Sequence, residues 1–232
     1  MKSGVISRKN LVLVLTHTDV LKDGRIVKSI EAFLELDNMK VLAVGRRSNE
    51  VWVETKLKNE NLRVVYLPAK PKIPLRILSI LKSSGLLRAL RLFRKRIRES
   101  VLLGPSRRKF WQTAAKISSE TVRAGIFSLS VVGLAWAHVG LSRPRVIYCN
   151  DEYVLAAGII LKKLFNSKLI YDAHELEHDK NGQTNSRRRA TFEFEKRAWP
   201  HVDHFVTVSD AIRRHYLANF GPKPSTVILN SP

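Results

Sequence analysis

A single cysteine in 232 residues removes two chemistries at once. Cys149 has no second thiol for an internal disulfide and cannot supply a Cys-rich zinc site, so nothing in the chain calls for an oxidising compartment. Long apolar runs are scarce as well. Behind the basic start Met1 to Asn10, the stretch Leu11-Val-Leu-Val-Leu15 holds about five apolar residues, too few for a signal-peptide core, and a cytoplasmic start is expected. Acidic residues are the third shortage: 20 Asp and Glu face 41 Lys and Arg, a formal charge of +21. Such an excess suits an anionic partner. RNP-type aromatics, zinc-finger spacing and a helix-turn-helix pattern are all missing, so charge alone would give a nucleic acid affinity without specificity, and no nucleic-acid partner is expected.

What the chain does have is a hydrophobic fraction of 44%, enough length for a substantial core, and an alternation of strand-like and helix-like segments. Leu11 to Leu15 has the continuous apolar character of a buried parallel strand and ends in Thr16-His-Thr-Asp19. After Asp23-Gly24-Arg25, residues Ile26, Ile30, Phe33 and Leu34 recur at helical spacing. Met39 to Gly45 forms the next strand, so the opening is a βαβ unit. Leu62 to Leu67 reads as a further strand, and prolines at 68, 71 and 74 interrupt the pattern.

The stretch from about 70 to 142 changes character and reads as a basic helical insertion. Leu86, Leu90, Phe93, Ile97 and Val101 fall on one helical face, while Arg88, Arg91, Arg94, Lys95, Arg96 and Arg98 cover the rest. A helix docked by its apolar stripe and a helix resting on anionic lipid headgroups both fit. The membrane-surface candidates are Arg88, Arg91, Arg94, Lys95 and Arg98. Ala124 to Ser142 approaches the length that a bilayer requires. Ser128, Ser130, Gly133, His138 and Gly140 dilute it, which favours a buried helix over a span.

The last third repeats strand and helix cleanly. Strands are expected at Arg145–Asp151, Lys168–Glu175 and His204–Asp210, with Tyr153, Ala156, Ala157, Ile160, Leu161 and Leu164 on a crossover helix between the first two. Ligands gather at the carboxyl ends of such strands, which here carry Asn150-Asp151-Glu152, Asp172-Ala-His174-Glu175 and Ser209. Asn150 and Asp151 suit hydrogen bonds to a substrate, or Asp151 caps the helix that follows. Ser209 caps the next helix, whose free N–H groups can also hold a phosphate or a sugar hydroxyl. Asp172 and Glu175 flank a histidine, and a carboxylate in that position can orient the imidazole as easily as react. His174-Glu-Leu-Glu-His178 matches the zinc-hydrolase pattern H-E-x-x-H, but that chemistry needs both histidines on consecutive turns of one helix. His174 instead follows a buried strand, and Asp179-Lys-Asn-Gly182 ends any helix almost at once. A zinc-dependent hydrolase and a non-catalytic domain for anionic membranes stand as alternatives; no metal is expected.

Tyr171-Asp-Ala-His-Glu175, Val202-Asp-His-Phe-Val-Thr-Val-Ser-Asp210 and Val227-Ile-Leu-Asn-Ser-Pro232, together with Asp23-Gly-Arg25 and the strand ending at Asp151, resemble the N-terminal domain of family 4 glycosyltransferases with the GT-B fold. The likeness covers roughly residues 11–45 and 143–232. It implies an α/β fold, a Rossmann-like open parallel sheet flanked by helices, with residues 1–232 forming the acceptor-side half of the GT-B architecture. It also implies retaining transfer of a sugar from a nucleotide-sugar, the only co-substrate expected and with no further cofactor, to a saccharide or lipid-linked acceptor. His174 would take the place of the family's cleft histidine and contact the donor sugar. Gly24, Arg25 and Ser209 would lie on the donor side, with Gly24 allowing close backbone approach and Arg25 offering a charged fork. A plain loop turn with a surface arginine is the alternative for that segment. Asn150, Asp151 and Glu175 would lie on the acceptor side. The family's donor-binding carboxylates and diphosphate clamp come from a second Rossmann-like domain, expected to be absent from residues 1–232, as in a fragment or truncated product, a split enzyme whose donor domain is a separate chain, or a domain retained only for binding. Residues 1–232 alone are then expected to be inactive, at the inner face of a membrane or free in the cytoplasm.

Overall fold

A computed structural model describes residues 10–46, 59–67, 125–139 and 142–229. The basic positions Arg88, Arg91, Arg94, Lys95 and Arg98 lie outside the described residues, as does Asn230-Ser-Pro232. The chain divides into two compact units, residues 1–69 with 131–232, and residues 70–130. Among the described residues, all the strands belong to the first unit. Of the second, residues 125–130 are described, and these are helical.

In chain order the elements are β1 (Leu11–Leu15), α1 (Gly24–Leu34), β2 (Lys40–Arg46), β3 (Leu62–Leu67), α2 (125–139), β4 (Val146–Asn150), α3 (Glu152–Phe165), β5 (Lys168–Ala173), α4 (Asn185–Ala198), β6 (His204–Thr207), α5 (Asp210–Phe220) and β7 (Ser225–Val227). The strands form one sheet of order β3-β2-β1-β4-β5-β6-β7, and every neighbouring pair is parallel. Strands β1 and β3 coincide with the expected segments. Strand β5 stops at Ala173 rather than Glu175, and β6 at Thr207 rather than Asp210. The reason at β6 is local, since Ser209 leaves the ladder to accept a hydrogen bond from the Ile212 N–H at 3.2 Å and so caps α5.

Neighbours in a parallel ladder share a face, so the register of β1 on β4 sorts the core into two layers. Val12, Val14 and Tyr148 face the side covered by Ile26 and Ile30 of α1. Leu13, Leu15, Ile147 and Cys149 face the other side, where Gly158 brings α3 against Cys149 and Leu169. Helices α1 and α3 therefore cover opposite faces, because strand order reverses between β1 and β4. That reversal opens a crevice at the carboxyl ends of the two strands.

On α2, Val131, Ala135 and Val139 are buried, while Trp136 stacks on Phe165 at a centroid distance of 5.3 Å. This is a stripe at helical spacing, as a docked helix shows. Among the described residues no helix is long and apolar enough to cross a membrane.

Candidate functional site

The crevice between β1 and β4 is lined by residues at the strand ends: Thr16 to Thr18 after β1, Asn150 at the end of β4 with Asp151 after it, and Asp172 to His174 at the end of β5. The first turn of α1 closes it. Asp23 accepts hydrogen bonds from the backbone N–H of Arg25 and Ile26, which fixes where α1 starts. The Thr18 hydroxyl donates to Asp23 at 3.2 Å and ties the β1 loop to that cap.

Asp172 is the buried centre of the site. Arg25 grips it with a two-point fork, Nη2 to Oδ1 at 2.7 Å and Nε to Oδ2 at 3.0 Å, and the Tyr148 hydroxyl donates to Oδ2 at 2.5 Å. Burial alone would raise this carboxyl's pKa; the nearby His174 and then the Arg25 fork hold it below the usual range. Tyr148 moves the opposite way: burial and then the Asp172 charge keep its phenol protonated. Arg25 also donates to the Ile228 carbonyl at 3.0 Å. Its guanidinium, expected to meet donor phosphates, is thus engaged as a brace between α1, β5 and the segment after β7. Gly24 begins α1, and a Cβ there would meet open space.

Asp151 carries two unusual features. Its backbone lies at φ 70° and ψ 164°, a region that L residues other than glycine occupy only under strain of about 1–3 kcal/mol. Its side chain makes no capping hydrogen bond to α3; it lies 3.0 Å from His17 Nδ1 and 3.8 Å from His174 Nδ1. Position, rather than capping chemistry, is therefore what this residue supplies. Burial opposes its ionisation, but the His17 contact and the two nearby imidazoles lower its pKa. Replacing Asp151 by glycine should raise folding stability by about 1 kcal/mol through strain relief, less the lost ion pairs, while disordering the two imidazoles. Urea denaturation checks the first part and histidine side-chain NMR the second.

His174 sits between two carboxylates, 3.8 Å from Asp151 and 3.7 Å from Asp172 Oδ2. These are charge contacts rather than hydrogen bonds. Burial disfavours its charged form, yet Asp172 and Asp151 outweigh burial and raise its pKa. The stability this contributes is complete below the ordinary histidine pKa and is lost as pH rises through the raised one. On the crevice wall His17 stacks on Tyr153 at 4.5 Å, and the Tyr153 hydroxyl accepts from Arg187.

The remaining sequence candidates fall around this centre. Asn150 is fully buried at the end of β4, and its amide has no hydrogen-bond partner among the described residues. Glu175 is 59% exposed and pairs with Lys180 at 3.3 Å, outside the His174 cluster. Ser209 caps α5 at the same edge of the sheet. His174 and His178 do not converge: no α-helix joins them, a 3-10 turn spans Glu177–Asp179, and His178 turns to Glu195 and His215. The geometry that the zinc-hydrolase alternative requires is absent. Among the described residues no group of three His, Cys, Asp or Glu is placed to hold a metal ion.

Two members of the site, His17 and Tyr148, are not among the sequence candidates, and Asp172 is the buried centre rather than only a flanking carboxylate. The signal for His17 was present, because Thr16-His-Thr-Asp19 is a polar strand end like the other two. Its partner lies across a strand pairing that sequence order does not reveal.

A family model, "Glycosyl transferase 4-like domain", matches residues 38–231. Among solved structures, sucrose-phosphate synthase from Thermosynechococcus elongatus is similar at a TM-score of 0.57 and 12% identity, covering 95% of this chain and 48% of that one. Medicago truncatula UGT71G1, solved with UDP-glucose, is similar at a TM-score of 0.52 and 8% identity, covering 99% of this chain and 53% of that one. The chain thus spans about half the length of these two structures. No curated protein matches in sequence. The seven-stranded Rossmann-like sheet is shared with these GT-B glycosyltransferases, and the chain belongs to the glycosyl transferase 4-like domain family.

Proposed function

We propose that this domain forms the acceptor-side wall of a sugar-transfer cleft, in an enzyme that moves a hexosyl group with retention from a nucleotide-sugar to a saccharide or lipid-linked acceptor. The observation that carries the reading is His174, held at the end of β5 between Asp151 and Asp172. Its raised pKa favours an imidazolium that donates a hydrogen bond to a sugar hydroxyl or to the departing diphosphate, a role in which a neutral ring serves less well. His17, Asn150 and Asp151 would meet the acceptor. Donor contacts would come chiefly from a second Rossmann-like unit, in the same polypeptide or a partner chain, a reading supported by the half-length coverage of the similar structures.

The test is nucleotide release and labelled-sugar transfer by the full native polypeptide, or its complex, with a panel of nucleotide-sugars and a membrane lipid extract as acceptor. Turnover is expected, falling about tenfold or more in His174→Ala, and declining in the native protein as pH rises through the raised His174 pKa. Absence of transfer from every donor, or an H174A rate equal to the native one, would overturn the reading.

The excess of basic residues supports a site of action at the cytoplasmic face of an anionic membrane, where a cell-envelope saccharide would be assembled on a lipid carrier. Binding to anionic vesicles is expected to weaken as salt rises. Equal sedimentation with neutral vesicles would contradict this.

A further inference from the structure

The H-E-x-x-H segment presents one histidine to the crevice and turns the other away from it. His178 is buried, and its Nδ1 lies 2.6 Å from Glu195 Oε2 on α4. The other oxygen of Glu195 accepts from both Tyr171 at 2.7 Å and Tyr216 at 2.6 Å. Three donors thus meet one buried carboxylate, leaving it well satisfied. On its far side His178 Nε2 lies 3.0 Å from His215 Nε2 of α5. Phe192, Tyr216 and Phe220 enclose the ring, with centroids 5.0, 5.6 and 5.9 Å away. The imidazole therefore joins β5, α4 and α5 through its partners, and it belongs to the loop that begins with His174.

We propose that His178 is a positioning residue: anchored on Glu195 and His215, it holds the loop after β5 so that His174 stands between Asp151 and Asp172. On its N-terminal side His174 is fixed by the ladder of β5 ending at Ala173. Its 3.7 and 3.8 Å contacts to the carboxylates are not hydrogen bonds and do not pin the ring. Further fasteners hold the loop: Lys180 on Glu177 and on Glu175 at 3.3 Å for the latter, Arg188 on Asp179 at 2.9 Å, the Glu177 N–H on the Tyr216 hydroxyl at 3.4 Å, and the Gln183 amide on the Glu177 carbonyl at 3.0 Å. The Arg188 pair is exposed, and such pairs contribute little. The His178–Glu195 contact is buried on both sides, and removing one partner of a desolvated charge-assisted hydrogen bond leaves the other unsatisfied. The inference concerns where His174 is held, and rests on the glycosyltransferase reading only for its effect on turnover.

The test uses the full chain and reads His174 directly. In His178→Ala, the NMR titration of the His174 side chain should move down towards ordinary histidine, and amides 175–179 should exchange about tenfold faster or more. His178→Asn places an amide near the former Nδ1 and should restore much of both signals. If His178→Ala does not fold, Glu195→Gln carries the same expectation, since it keeps the side-chain volume and loses the charged acceptor. A folded variant in which His174 titrates as in the native protein and the loop amides stay protected would overturn the proposal. Neither readout needs sugar transfer, so the failure of one reading is separable from that of the other.

Discussion

Asp172→Ala is expected to destabilise the fold by about 3–5 kcal/mol, the range for breaking a buried ion pair by removing one partner. At roughly 2–4 °C per kcal/mol for a domain of this size, the melting temperature should fall by about 6–20 °C. The loss is large because two groups are stranded together. The Arg25 side chain is only 11% exposed and would keep its charge without a counter-ion, while the buried Tyr148 hydroxyl would lose its acceptor. Removing both charges in Asp172→Leu with Arg25→Leu should recover much of the stability, since apolar replacement of a whole buried pair is often nearly neutral. A double-mutant cycle by urea denaturation measures the coupling. The pH dependence has a definite sign. Asp172 has a depressed pKa, so its stabilisation is present above the ordinary carboxylate range and is lost as pH falls through the folded value. The double variant should therefore have a flatter acid limb. A single-variant loss below about 1 kcal/mol would show that the fork does not support the fold.

Gly158→Ala is the second substitution with a large expected effect, even though alanine is the better helix former by about 1 kcal/mol. A Cβ at this position would lie 2.2 Å from Cys149 Sγ and 3.0 Å from Leu169 Cδ1. The sulfur belongs to a fully buried residue of a central strand, so α3 must lift off the sheet or the strand must shift. Overpacking of this kind typically destabilises by about 1–3 kcal/mol, and Gly158→Val should lie at or above the top of that range. Removing the sulfur makes room. Cys149→Ala combined with Gly158→Ala should regain most of the loss, leaving the flexible Leu169 methyl as the remaining contact. The check is the urea midpoint at unchanged m-value; a midpoint for Gly158→Ala equal to the native one would contradict the close approach of α3.

The parallel sheet was legible because its strands are short apolar runs bounded by polar ends, and β1 and β3 were bounded correctly for that reason. Errors came where a side chain competes with the ladder, as Ser209 does beyond β6. His174 was legible as a polar residue at a strand end. Its surroundings were legible only in part: Asp172 lies two residues away in the same chain segment, whereas Asp151 meets it through the pairing of β4 with β5, which no local pattern encodes. Arg25 shows the same limit from the other side. A charged residue beside a glycine suggests a phosphate, and only the folded chain brings a buried carboxylate from β5 to receive it. The strain at Asp151 was equally invisible, since a residue type carries no mark of its backbone angles.

The pairing of β1 with β4 has a kinetic meaning. Val12 lies beside Val146 and Leu15 beside Cys149, so joining these strands closes a much longer loop than joining β4 to β5. Loop closure grows logarithmically with length, and each doubling adds about 0.6 kcal/mol to the barrier. Contacts so remote in sequence form slowly. The central seam of the sheet should therefore zip up last, after the two flanking βαβ halves have gathered. His17 would then come into contact with Asp151 only at that final step, and the appearance of this contact in refolding would serve as a clock for completion of the native state.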